Sequence, residues 1–247
     1  MFKLYLFLAH LTLFSTISCN NVDSTDIEIA EDLNISEDSM EAINKDNWVI
    51  TPDGSENYLN FSSEYIFDQK NLHTFDLILS EENLNLINRD PAAEEYVEGM
   101  LIFEKDTISP VGIRYKGSVG AFVGCLDGPN MFEPSGAKIC TKLSMKIKIN
   151  WKGRKEKFFG LKKLQFHSMN NDASQMHERA GYWLFRQMGI PAPRAVHAKL
   201  TINGIYTGLY SLVEQIDSRF IKENFDDDEG NLYKEIWPLT FAGVPYP

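Results

Sequence analysis

The sequence predicts an α+β domain, a largely antiparallel sheet carrying one long helix. Three observations lead there. Short apolar segments alternate with polar residues in strand fashion. An Asn203-Gly204 pair joins two of them, the strongest short hairpin signal. A stretch from Asp172 to Met188 has helical periodicity and stop signals after it.

In chain order, Thr74 to Leu79 alternates as a strand. Ser80-Glu81-Glu82 then opens a short helix with Leu84, Leu86 and Ile87 on its apolar side and Asp90-Pro91 as its stop. Met100–Phe103, Gly112–Tyr115, Leu143–Ile149 and Phe158–Phe166 read as strands, the last following a Lys152-Gly153-Arg154 turn. In the long helix Asp172 is placed to cap the N-terminus, with Gln175 three residues on as a capping box. Gly189 takes the left-handed position after its end and Pro191 follows. Met176, Ala180, Trp183, Leu184 and Met188 form one apolar face and Tyr182 and Phe185 widen it, which predicts a helix covered on most sides. Ala195–Ile202 and Ile205–Val213 are the hairpin strands, and Ser218 to Asn224 is a second helix.

The 247 residues suit one domain plus a tail, and a hydrophobic content of 43% suffices for a core. The net charge of −11 is uneven. Residues 20–46 hold nine acids against Lys45, a net of −8, and lack aromatics, the composition of a disordered tether. Residues 138–163 hold ten Lys and Arg against Glu156, a net of +9. Such a segment suits a polyphosphate or other anionic partner, or is a solvated lysine-bearing strand and turn. Residues 4–18 are apolar or small behind Lys3, too short to span a bilayer and shaped like a signal peptide. Thr16-Ile17-Ser18-Cys19 looks like a lipobox, with Thr16 where Leu is usual. Cys19 would then carry lipid, placing the protein in a bacterial cell envelope, lipid-anchored or otherwise secreted. Cys125 and Cys140 remain, able to pair in an oxidising compartment or to stay as two buried thiols. No metal-ligand spacing accompanies them.

Candidate chemistry lies between the glycine cluster and the end of the second hairpin strand. Gly117 and Gly120 bracket a loop whose backbone can approach an anion, or which is a plain turn. Arg114 and Lys116 share one strand face beside it. Lys142, Ser144, Lys146 and Lys148 share a face of the next strand. Glu178, on a helix expected to be covered, wants a cation, and Lys146 is the favoured partner. Val213, Glu214 and Gln215 precede Asp217, which can cap the following helix. His167 and His177 have no partner pattern and read as structural. Asp226-Asp227-Asp228 lacks the spacing of a calcium loop.

The order strand, Lys, helix with Glu, hairpin and acidic hinge resembles the small lobe of a protein kinase. The phrases VGIRYKG (Val111–Gly117), GLKKL (Gly160–Leu164), GIPAPR (Gly189–Arg194), LVEQID (Leu212–Asp217) and GNLYKE (Gly230–Glu235), with ING-Y-GLY between Ile202 and Tyr210, resemble the CotH family, the spore-coat-protein-H-like atypical kinases. The resemblance covers roughly Asn71 to Pro238. After a signal peptide over 1–19 and a tether and lead-in over 20–70, both read from the residues themselves, it implies a kinase-like small lobe over 71–214 and over 215–247 a hinge with only the start of a second lobe. It also implies transfer of phosphate from ATP, with magnesium, to Ser or Thr of an extracytoplasmic or coat-type protein. Lys146 and Glu178 would be the catalytic pair. Lys142, Gly117, Gly120, Val213, Glu214, Gln215 and Asp217 would contact the nucleotide. The family's catalytic Asp and metal-binding acids lie after the GNLYK phrase. Only thirteen residues follow Lys234, so no magnesium ligand is expected in this chain and phosphoryl transfer by it alone is not expected. The alternative is a non-enzymatic envelope lipoprotein using the scaffold for binding. No nucleic-acid partner is expected.

Overall fold

The structure is a computed structural model that describes residues 49–50, 56–58, 62–104, 106–117, 119–128, 134–227 and 229–233, with the backbone alone for 49–50, 56–58 and 119–120. All belong to one compact unit, Glu41–Pro247. The leader with Cys19, the acidic tether and the segment after Tyr233 lie outside the described residues.

Seven strands form a closed barrel. They are β3 (His73–Ile78), β4 (Val97–Phe103), β5 (Asp106–Tyr115), β6 (Met145–Lys148), β8 (Lys163–His167), β9 (Ala195–Ile202) and β10 (Ile205–Val213). Short β1 (Val49–Ile50), β2 (Glu56–Tyr58) and β7 (Lys157–Phe158) form a separate three-stranded sheet. Around the barrel lie helices α1 (Glu81–Arg89), α2 (Val119–Phe122), α3 (His177–Gln187) and α4 (Ser218–Asn224).

The α+β class and the antiparallel pairings agree with the sequence reading, but closure of the sheet does not follow from it. β9 pairs with β10 through the Asn203-Gly204 turn, where both residues have positive φ (51° and 77°). Its other edge takes β3 as a parallel partner, Phe75 opposite Leu200, and this one long-range pairing closes the ring. The single strand expected over Phe158–Phe166 is broken, because Phe159 and Gly160 turn at positive φ and leave β7 and β8 as separate strands.

Alternation explains the core. Phe75 and Leu77, Leu101 and Phe103, Ile113, Met145 and Ile147, Phe166, and Leu212 are fully buried. Phe158 and Phe159 join them with ring centroids 4.7 Å apart, and Phe103 meets both rings. Each such side chain contributes about 1.5–3 kcal/mol by burial. Ser80 caps α1 by accepting from the Asn83 amide at 3.1 Å, as the sequence indicates.

Helix α3 departs most from expectation. It starts at His177, later than a cap at Asp172 would put it, and Met176 stands at the cap position without a side-chain bond. Asp172 instead holds the preceding turn, accepting from the Ser174 amide at 3.0 Å and the His177 amide at 2.8 Å. The capping box does not form, and Gln175 sits at positive φ. The apolar face points outward: Met176, Trp183, Leu184 and Met188 are 42–65% exposed, and Phe185 is 49% exposed. The half-buried residues are Glu178, Arg179, Gly181, Tyr182 and Arg186, so the polar side faces the barrel. The reason lies in the surface beneath. The outer face of β9 and its neighbours offers His197, His167 and Ser211, which polar side chains can satisfy and apolar ones cannot. Arg179 donates to the Gln69 side chain and carbonyl at 2.7 and 2.8 Å and meets His197 at 3.1 Å, while Arg186 reaches the Pro193 carbonyl. The helix end is as expected, with Gly189 at φ 75°.

Candidate functional site

Residues that flank the inward core positions point out of the barrel. In one row Arg114 stands opposite Lys146, Lys146 opposite Gln165, and Gln165 opposite Val213. In the next row His167 opposes Ser211, which opposes His197. Lys116 joins this second row just past β5, where its amide bonds the Ser144 carbonyl at 2.9 Å.

The first turn of α3 lies over the second row. Glu178 Oε1 meets His167 Nδ1 at 2.5 Å, and His167 Nε2 meets Lys116 Nζ at 2.6 Å. The hydrogens fit in one arrangement: the ammonium donates to Nε2, and Nδ1–H donates to the carboxylate. An imidazole therefore connects an ammonium to a carboxylate that do not touch directly. Burial pushes the Lys116 ammonium below the ordinary lysine range, against the pull of the Glu178 and Glu94 carboxylates. Burial alone would raise the Glu178 carboxyl, but the His167 hydrogen bond, with Ser211 and the charge of Lys116, holds it below the ordinary glutamate value. Glu178 Oε2 and Ser211 Oγ are both buried and lack a well-formed hydrogen bond among the described residues. A cavity of about 570 Å³ opens beside this chain, lined by Lys116, Gly117, Ser144, His167, Asp172 and Glu178 among others.

The structure brings some expected residues together and commits others elsewhere. Lys146 lies on the same outer face as Glu178, but the partners of Glu178 are His167, Lys116 and Ser211. Lys142 reaches across to the Leu209 carbonyl at 2.8 Å and over the Tyr210 ring at 5.1 Å, and burial lowers its pKa. The Gly117 amide donates to Glu94 Oε1 at 2.8 Å, and Glu94 also pairs with Arg114. A Cβ at Gly117 would meet Ala121 at 2.7 Å, so close packing on α2 already requires a glycine there. Gly120 lies within α2 itself.

At the expected hinge, Val213 ends β10 inside the ladder. Glu214 is buried, its amide bonded to the Arg194 carbonyl at 2.8 Å and its carboxylate held by Arg194 Nε at 3.0 Å. Gln215 follows, with its side-chain amide on the Ile216 carbonyl at 3.2 Å. Asp217 caps α4, accepting from the Arg219 amide at 3.0 Å. Cys125 and Cys140 form a disulfide. His167 is the residue that sequence reasoning passed over. Its available signal was the alternation Gln165-x-His167, which puts it on the outward face of β8.

Among the described residues no group of three or more His, Cys, Asp or Glu lies together so as to hold a metal ion. No described helix is long and apolar enough to cross a membrane. No curated protein matches the chain significantly. The family described as CotH kinase protein matches residues 113–236, which takes in β6 through α4 together with Lys116, His167 and Glu178. The match spans half of the chain, which belongs to this family.

Proposed function

We propose that this chain engages ATP as a member of an atypical protein kinase family, toward transfer of the γ-phosphoryl group to Ser or Thr of extracytoplasmic proteins. The observation that carries the reading is the Lys116–His167–Glu178 chain beside a cavity on the outer barrel face. Phosphate recognition needs a cation fixed by a carboxylate on a neighbouring helix, and α3 supplies that carboxylate. The buried Glu178 Oε2 has room for one more donor, and Lys146, in the neighbouring row, is the side chain proposed to take it when a nucleotide is held. Lys116 and Lys146 would then face the phosphates and the backbone at Val213–Gln215 the base, with Lys142, Gly117, Gly120 and Asp217 as supports of the site's walls. ATP, when bound, supplies the transferable phosphoryl group; the chain's own residues orient it and exclude water. Envelope location and a lipid on Cys19 belong to the same proposal.

A second reading has its own support. The Gly117 amide is already taken by Glu94, and the Glu214 amide by Arg194. Both are groups a nucleotide would use, which favours a binding module of the envelope that performs no transfer.

One experiment separates the two. The 247-residue chain is titrated with ATP by thermal melting, and labelled phosphate transfer to a mixed protein substrate is followed in parallel. Stabilisation by ATP that falls in Lys146→Ala, Lys116→Ala and Glu178→Gln supports the nucleotide site. Stabilisation unchanged in all three removes it. An absence of stabilisation by ATP supports the binding module.

A further inference from the structure

A second cavity, of about 450 Å³, opens beside the hinge and shares no lining residue with the one at Lys116. Its walls come from the Phe159-Gly160 turn, the start of β8 and the exposed side of α4. Five cations line it: Lys157, Lys162, Lys163, Arg219 and Lys222. Two carboxylates, Glu214 and Asp217, also line it, so cations outnumber acids five to two. Glu214 is held by Arg194, and Asp217 caps α4. The local field is therefore positive, in a protein whose net charge is −11. Three of the five cations belong to the +9 segment, residues 138–163, which the cleft at Lys116 does not explain.

Two details point to a ligand rather than to a solvated basic face. Arg219 Nη1 is buried and has no hydrogen-bond partner among the described residues, although Nη2 reaches Ser63 and pairs with Glu223 at 2.6 Å. A buried guanidinium N–H without an acceptor is costly, and an anion would satisfy it. Gly160, at φ 76°, makes the turn that brings the chain beside Arg219, where even a Cβ would lie in ordinary contact, 3.9 Å from the guanidinium.

We propose that this cavity binds a phosphate group, either free or carried on a phosphorylated side chain, at a site that shares no lining residue with the cavity at Lys116. An Arg–Lys cluster suits a dianion with several acceptor oxygens better than a single carboxylate. The volume leaves room for more than the phosphate alone. The proposal uses neither lysine placed at the nucleotide's phosphates, Lys116 or Lys146, although the cavity borders the Glu214–Gln215 backbone proposed to hold the base.

The test is calorimetric titration of the whole chain at low salt with inorganic phosphate, a phosphoserine peptide and the same peptide unphosphorylated. Lys162 and Lys222 are exposed, so the double variant Lys162→Gln/Lys222→Gln retains the fold, and its melting temperature verifies this. The expected result is binding of both phosphate probes, weakened roughly tenfold in the double variant and by added salt, with Lys116→Ala binding as the wild type does. A peptide binding much more tightly than phosphate assigns the phosphorylated side chain, and equal affinities assign free phosphate. The proposal is overturned by wild-type affinity in the double variant, by equal binding of the unphosphorylated peptide, by no binding at millimolar phosphate, or by a loss that follows Lys116→Ala instead.

Discussion

Replacing Glu178 by Gln tests whether the Lys116–His167–Glu178 chain is an electrostatic unit. Gln retains an oxygen that can accept from His167 Nδ1–H, so the change removes charge while conserving shape. The Glu178 side chain is 29% exposed and that of His167 22% exposed, so screening by water is partial. A charge-assisted hydrogen bond is about twice as strong as a neutral one, and Lys116 also loses one of its countercharges across the imidazole, with Glu94 remaining. Together these amount to about 1–2 kcal/mol at pH 7. For a domain of this size that is a fall of roughly 3–6 °C in melting temperature. The pH dependence fixes the cause. The fold holds the Glu178 carboxyl below its ordinary value, so its contribution is fully present above about pH 4.3 and is lost as pH falls through the lower folded value. The melting curves of wild type and Glu178→Gln should therefore converge at low pH. A variant that melts within a degree of wild type at pH 7, or a gap that persists undiminished at pH 3, would refute the reasoning.

Other predictions follow from separate features. Reducing the Cys125–Cys140 bridge, which closes a 15-residue separation, should lower unfolding free energy by about 3 kcal/mol in a denaturant titration. The double change Trp183→Gln/Leu184→Gln should leave stability within about 0.5 kcal/mol, because both side chains are half exposed; a loss of several kcal/mol would show that this face is covered. Arg194→Ala strips the buried Glu214 carboxylate of its partner and should cost about 3 kcal/mol by chemical denaturation, whereas the additional change Glu214→Gln should restore part of the loss.

What the sequence disclosed and what it withheld divide by distance along the chain. The Asn203-Gly204 hairpin, the Ser80 cap and the Gly189 stop are local signals that act within a few residues, and each forms where the sequence places it. Closure of the barrel rests on Phe75 meeting Leu200, over a hundred residues away, and no local pattern encodes that pairing. The orientation of α3 was misjudged for a related reason. Its apolar stripe is real, but the surface it lies on is polar, and the surface comes from four other segments. The site shows the same division. Glu178 and the strand lysines stand out by type and spacing. His167 does not, because Lys116, Glu178 and Ser211, which define its role, become neighbours only when β5, α3 and β10 have assembled.

The parallel seam between β3 and β9 has a practical consequence for dissecting the protein. The family match begins at Ile113, within β5, whereas β3 and β4 precede it. A fragment cut to the family boundary would lose two staves and most of a third, along with Phe75, Leu77, Leu101 and Phe103 from the interior. The flank of β9 that β3 occupies would then be bare, an open template for sticking to other chains. Anyone expressing the recognisable half by itself should expect inclusion bodies rather than a miniature of the whole.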